Sequence, residues 1–175
     1  TSLVEKHAYQ ANPWGWLIMR RPTSFSYESP QGCGSKSCAQ EVLALGTPVL
    51  WWGATIALVV LIGLWTWQFY NRNVDKKLTF ILLGIIAGYL PWFFFQKRTV
   101  FSFYAIIFEP FLILALVYCA KLFIDRSKNP ANAQVIILGF VAVVFLNFIY
   151  FLPLYLGEVI TYAQWHMRMW FTSWI

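Results

Sequence analysis

Four apolar runs, each near the ~20 residues an α-helix needs to cross the hydrocarbon core of a bilayer, constrain this chain more than any other feature: residues 48–70, 78–96, 100–120 and 133–156. The links between them, "NRNVDKK" (71–77), "KRT" (97–99) and "KLFIDRSKNPAN" (121–132), are short, so consecutive runs must lie antiparallel in a compact set. A water-soluble alternative fails on composition. The chain is 59% hydrophobic and only 11% charged, against about 25% charged in soluble domains, and 175 residues cannot bury so much apolar surface. Trp51, Trp52, Trp65, Trp67, Trp92, Tyr150 and Tyr155 crowd the ends of the runs, where headgroup belts form. The expectation is an all-α integral membrane chain: four transmembrane helices within 48–156, an extracytoplasmic interfacial segment over 1–47 and an interfacial tail over 157–175.

Lysine and arginine in the short loops set the orientation. The first and third links hold six of the 13 basic residues (Arg72, Lys76 and Lys77; Lys121, Arg126 and Lys128), which places those links in the cytoplasm and both chain ends outside it, in a multi-pass protein of the cell membrane. The remaining seven lie outside, so the bias is one of density rather than number. The net charge of +6 therefore reads as topology signals and contacts to lipid headgroups, not as a nucleic-acid surface. The chain starts at Thr1, and its first apolar run lacks the pattern of a signal peptide, so it reads as a piece of something longer.

The stretch "CGSKSC" puts Cys33 and Cys38 in a polar, Gly- and Ser-rich loop, at a spacing that closes a small disulfide in an oxidising compartment. The alternatives are two free thiols or half a metal site, but no histidine lies nearby and a matching second pair is missing. Cys119 reads as a small hydrophobe within the third run.

Ionisable groups at membrane depth are costly and mark function by default. In "FFFQKRTVFSFY" (93–104) the chain turns at the outer interface through Gln96, Lys97 and Arg98. An arginine fork pairs with phosphate oxygens in a bidentate way and a nearby lysine adds a point charge, so a lipid phosphate is the natural anion there. The competing reading is a pair of cations snorkelling to water. Glu109, followed by Pro110, is either a coupling or ligand carboxylate or a local cap for backbone groups freed by the proline. The tail "AQWHMRMWFTSWI" is aromatic but too short to span, and His166 within it carries no catalytic assignment. "NPWGWLIMRRPTSFSYE" (12–28) is likewise too short to span and too apolar to be a plain loop, which suits an interfacial element with its tryptophans at headgroup depth. No P-loop, dinucleotide fingerprint, zinc spacing or nucleophile elbow occurs in the sequence.

Four ordered stretches, "HAYQANPWGWLIMRRPTSFSY" (7–27), "VLALGTPVLWW" (42–52), "RTVFSFY" (98–104) and "WHMRMWFTSWI" (165–175), resemble the C-terminal module of the protein O-mannosyltransferases of glycosyltransferase family 39, closest to the polyprenyl-phosphate-mannose-dependent actinobacterial branch. One departure is Thr47, which stands where the family's GNPxxWW pattern has asparagine. The resemblance implies the C-terminal part of a larger GT-C fold. The implied enzyme takes mannose from a polyprenyl phosphate carrier and places it, with inversion, on serine or threonine of secreted proteins. The family's catalytic carboxylate belongs to an Asp-Glu pair in the first outer loop. This sequence has no Asp-Glu pair, so an N-terminal half with more spans is expected to supply it and this chain alone is expected to be inactive.

On that resemblance Arg98 is the first choice for the donor phosphate, with Lys97, Gln96 and Tyr104 as neighbours. Trp14, Trp16, Arg20 and Arg21 belong to the outer rim where donor and acceptor meet. The implied partners are membrane lipid, polyprenyl phosphate, Ser/Thr-rich secreted polypeptides, the N-terminal half of the enzyme and the secretion channel, with no nucleic acid. The lipid-linked mannose is the donor the resemblance implies; it names no definite cofactor, and the need for a divalent metal stays open. The rival class is a non-catalytic four-span subunit that binds lipid or acts as a scaffold; sequence upstream of Thr1 carrying more spans and an Asp-Glu pair separates the two. A transporter, suggested by Glu109 and the proline-broken spans, fits less well because no repeat relates the first two runs to the last two.

Overall fold

The computed structural model describes residues 7–95 and 98–175, so Gln96 and Lys97 lie outside the described residues. Among the described residues five α-helices, three strands and several 3-10 turns follow one another: β1 (Thr23–Glu28), β2 (Cys38–Ala44), α1 (Pro48–Tyr70), α2 (Lys76–Tyr89), α3 (Glu109–Arg126), α4 (Pro130–Leu156), β3 (Val159–Thr161) and α5 (Tyr162–Arg168). Among the described residues three helices are long and apolar enough to cross a membrane: Pro48–Tyr70, Lys76–Phe95, where α2 continues through a 3-10 segment, and Pro130–Leu156. The chain divides into two compact units, one of residues 1–48, 96–104 and 145–175, the other of 49–95 and 105–144.

The second unit is helical. Pro48 starts α1 because a proline's fixed φ and missing N–H suit a first helical position. One end of the unit is organised by Asp75, the N-cap of α2. Its Oδ1 accepts from Lys77 N (2.7 Å), its Oδ2 accepts from the Tyr118 hydroxyl of α3 (2.7 Å), and its own N–H donates to Gln68 Oε1 of α1 (2.9 Å). Trp65 Nε1 adds a bond to Thr79 Oγ1 (3.0 Å), so three helices meet on one short turn. Glycines allow close approach along their lengths. A Cβ on Gly84 would run into the Phe111 ring, and one on Gly88 would lie 2.9 Å from Phe108 Cβ.

The third apolar run differs from expectation. Ser102–Ile107 is 3-10, and the α-helix begins only at Glu109 and continues to Arg126, past the expected end at residue 120. Pro110 explains the start, because proline is accepted in a first turn but not in a helix interior. Glu109 therefore sits in the first turn, where the helix dipole favours an anion, rather than near the middle of a span. At the other end the Lys121–Asp125 ion pair (2.7 Å) lies one turn apart on the helix, so these residues belong to α3 and not to a link. Cys119 is half-buried and directs its thiol to the Ala57 carbonyl (3.7 Å).

The first unit corrects the all-α expectation: it contains an antiparallel three-stranded sheet in the order β1-β2-β3. Thr23 pairs with Ala44 and Glu28 with Gln40, with a bulge at Phe25. On β2's other side Cys38 pairs with Thr161. Local sequence carries the pattern on β2, whose Ala39, Glu41 and Leu43 are buried in alternation. The residues that pair with β3 are remote from it in sequence, so the tail over 157–175 is joined to the N-terminal segment by backbone hydrogen bonds. Thr161 and Gln164 form a reciprocal capping box that starts α5 directly after β3. Trp165 is buried and donates its indole N–H to the buried Glu41 carboxylate. Arg168 donates to Tyr150 O (2.7 Å) and Gln164 O (2.7 Å) and lies over the Tyr150 ring.

Candidate functional site

The site grows from residues 10–21 of the first unit. Asn12 caps a short 3-10 turn, Pro13–Gly15, its Oδ1 accepting from Trp14 N (3.1 Å). Trp16 folds inward at 1% exposure and donates its indole N–H to Ala11 O (2.9 Å). Met19 then takes a left-handed backbone, φ 51, unusual for a non-glycine residue. The indole of the buried Trp174 donates to Met19 O (2.7 Å), which fixes that conformation from the far end of the chain. Beyond it Arg20 lies against Gly15, where a Cβ would come 2.9 Å from Arg20 Cβ.

The two arginines are handled differently. Arg21 is fixed: Nε donates to Ala8 O (2.8 Å), one terminal nitrogen donates to Ser173 O (3.2 Å), and the guanidinium lies 5.7 Å from the Tyr9 ring centre. Arg20 is exposed, and its guanidinium has no hydrogen-bond or ion-pair partner among the described residues. Together with Gln10, Asn12, Trp14 and Ser173 they line a pocket of about 490 Å³. No carboxylate lines it among the described residues. Of the two rim tryptophans, Trp14 is open at 71% exposure, whereas Trp16 serves the interior.

Residues 98–104 are stitched to the same segment. Val100 is buried and accepts from Ala11 N (2.9 Å), Ser102 Oγ meets Thr23 Oγ1 (3.3 Å), and Phe101 lies edge-on to His7 (5.2 Å between ring centres). Tyr104 is half-buried among Trp16 and Phe103, with ring centres 6.5 and 4.7 Å away. Arg98 is exposed at the start of this stitched loop and has no hydrogen-bond or ion-pair partner among the described residues. The structure thus brings Arg98, Tyr104, Trp14, Arg20 and Arg21 into one unit, through the Ala11–Val100 bond. Cys33 and Cys38 are joined by a disulfide in the turn between β1 and β2, with Cα atoms 5.9 Å apart. Among the described residues no group of three His, Cys, Asp or Glu side chains is arranged to hold a metal ion. Sequence reasoning missed Gln10, Asn12 and Ser173 as pocket residues. The Asn-Pro pair was a usable helix-cap signal, but nothing local connects Ser173 to Arg20 and Arg21.

Apolar helices of membrane-crossing length, joined to a unit that presents basic and aromatic side chains on a polar pocket, define an integral membrane protein. The chain belongs to the protein O-mannosyltransferase family: residues 1–174 match the family model described as the C-terminal four TMM region of protein-O-mannosyltransferase. It is 32% identical over 174 residues to a polyprenol-phosphate-mannose–protein mannosyltransferase of Mycolicibacterium smegmatis, covering 96% of this chain and 33% of the relative. Its counterpart in Mycobacterium tuberculosis is 30% identical over 174 residues, covering 96% and 32%. The chain therefore spans about a third of the length of these curated relatives. The fold is shared with the solved Saccharomyces cerevisiae protein O-mannosyltransferase Pmt1–Pmt2 complex bound to the sugar donor, at TM-score 0.77 and 24% identity, covering 99% of this chain and 24% of that one.

Proposed function

We propose that this chain is the C-terminal part of an inverting membrane mannosyltransferase that moves mannose from polyprenyl-phosphate-mannose to serine or threonine of secreted polypeptides, and that its share of the chemistry is to hold the donor phosphate at Arg98. The acceptor hydroxyl oxygen attacks the anomeric carbon, the bond from that carbon to the phosphate oxygen breaks, and the hydroxyl proton passes to a base. That base comes from the N-terminal part of the enzyme. The leaving phosphate gains charge as the sugar departs, so a guanidinium held beside it acts where charge develops. Lys97, Gln96 and Tyr104 complete the phosphate side, and Trp14, Arg20 and Arg21 face the rim. The observation that carries this reading is an exposed Arg98 without a hydrogen-bond or ion-pair partner among the described residues, at the start of a loop that Val100 and Ser102 tie to the N-terminal segment.

The topology follows the same reading: four membrane crossings, with α3 and the 3-10 residues before it making the third, and both ends of the chain outside the cytoplasm. In the complete enzyme Arg98→Ala should lower mannosyl transfer to a serine- and threonine-rich acceptor roughly 10²–10³-fold, the usual loss for one transition-state donor. Arg98→Lys should retain part of the rate, and membrane insertion should be unchanged in both. Parental turnover in Arg98→Ala would reduce Arg98 to a headgroup anchor.

A further inference from the structure

We infer that the pocket between Trp14, Arg20, Arg21 and Ser173 is a second phosphate site, which takes the phosphate of a lipid headgroup at the membrane surface. This goes beyond the transfer reaction and does not depend on the role given to Arg98.

The lining is one-sided in charge. Two guanidiniums meet there, and no carboxylate lines the pocket among the described residues. Arg21 is already satisfied by two backbone carbonyls and a ring face, which holds its charge in place without neutralising it. The Arg20 guanidinium has no hydrogen-bond or ion-pair partner among the described residues, and a guanidinium fork fits two phosphate oxygens at once. Asn12 uses its Oδ1 to cap Trp14 N, which leaves its amide nitrogen as one more donor. Two guanidiniums with no carboxylate among the described residues favour an anion there.

The backbone is committed to this arrangement. The left-handed Met19 is held from both sides, by its own N–H to Trp16 O (3.1 Å) and by the Trp174 indole on its carbonyl. Gly15 leaves the space against which Arg20 packs. Local strain of this kind persists where the surrounding structure over-determines it, and it points to a function for the residue it places. Here that residue is Arg20, the next along the chain.

The surroundings identify the anion as a headgroup. Trp14 and Ile18 are 71% and 57% exposed on the same short segment, and indole and aliphatic side chains beside basic ones are the signature of the bilayer interface. A pocket of about 490 Å³ takes a phosphate with its glycerol or first isoprenoid unit.

The test uses the complete enzyme in phosphatidylcholine nanodiscs doped with phosphatidylglycerol in one arm and polyprenyl phosphate in the other, with retained lipid counted by native mass spectrometry. Both arms are run in an Arg98→Ala background, so that a change is assigned to the pocket. Arg20→Ala should weaken retention of at least one dopant roughly tenfold or more, and Arg20→Lys should fall between, because it keeps the charge but loses the fork. Loss confined to phosphatidylglycerol identifies a bilayer phospholipid as the occupant, and loss of polyprenyl phosphate identifies the carrier. Because the Arg20 guanidinium is exposed, its removal leaves the fold intact. Equal retention of both lipids by the parent, Arg20→Ala and Arg20→Lys would overturn the inference.

Discussion

At the scale of single residues, what decides a side chain's role here is whether the protein itself satisfies it. Arg168 and Arg21 are spent on backbone carbonyls and aromatic rings, whereas the Arg20 and Arg98 guanidiniums have no such partner among the described residues; Arg20 and Arg21, adjacent in sequence and both read as rim residues, are thereby told apart. Asp75 is the clearest case of a charge put to structural use. The Tyr118 hydroxyl and the Lys77 backbone N–H hold its carboxyl below the ordinary value of 3.8, outweighing the opposing effect of desolvation. A group whose pKa is depressed on folding contributes stability that is full above its ordinary pKa and is lost as pH falls through the folded value. Asp75→Ala should therefore unfold at a lower temperature than the parent by an amount that stays constant from pH 8 to pH 5 and shrinks below about pH 4, reflecting about 1 kcal/mol for a lost N-cap. Thermal melts of the purified enzyme across that range check this, and a gap that persists unchanged to pH 3 would show that the ionised carboxylate is not what matters.

At the scale of elements, the apolar runs were legible because hydrocarbon thickness imposes a length, and α1 runs over the expected residues, Pro48–Tyr70. The start of α3 was displaced by a local rule, the preference of proline for a helix's first turn, which outranked hydrophobicity. The sheet was missed because β1 and β3 are short and neither carries a buried face of its own; most of β1 is exposed. The turn from α4 into β3 shows how tightly such an element is specified. Gly157 has φ 66, and a Cβ there would lie 2.7 Å from Val42 Cγ2 of β2. Gly157→Ala should cost about 2 kcal/mol or more from the left-handed backbone and the contact together. A lowered melting temperature, with the β2–β3 pairing lost first in hydrogen exchange, is the expected outcome; an unchanged melt would mean the turn relaxes freely.

At the scale of the whole molecule, the proposed topology predicts that a cysteine introduced at Glu158 reacts with a membrane-impermeant thiol reagent from outside intact cells, while one introduced at Lys128 reacts only after permeabilisation. Labelling of both from outside would remove the four-crossing arrangement. The sequence by itself determined that the chain enters a membrane, which family it resembles and which cations are candidates, because span length, loop charge and short motifs are local quantities. Only the tertiary structure decided which of those cations lack a partner among the described residues and where a pocket forms. Trp174 reaches Met19, Ser173 reaches Arg20 and Arg21, and Trp165 reaches Glu41, across separations of more than 120 residues. Contacts of that kind come from the chain closing on itself to satisfy buried indoles and backbone groups that cannot be left unpaired away from water. They leave no periodic trace in the residues that make them.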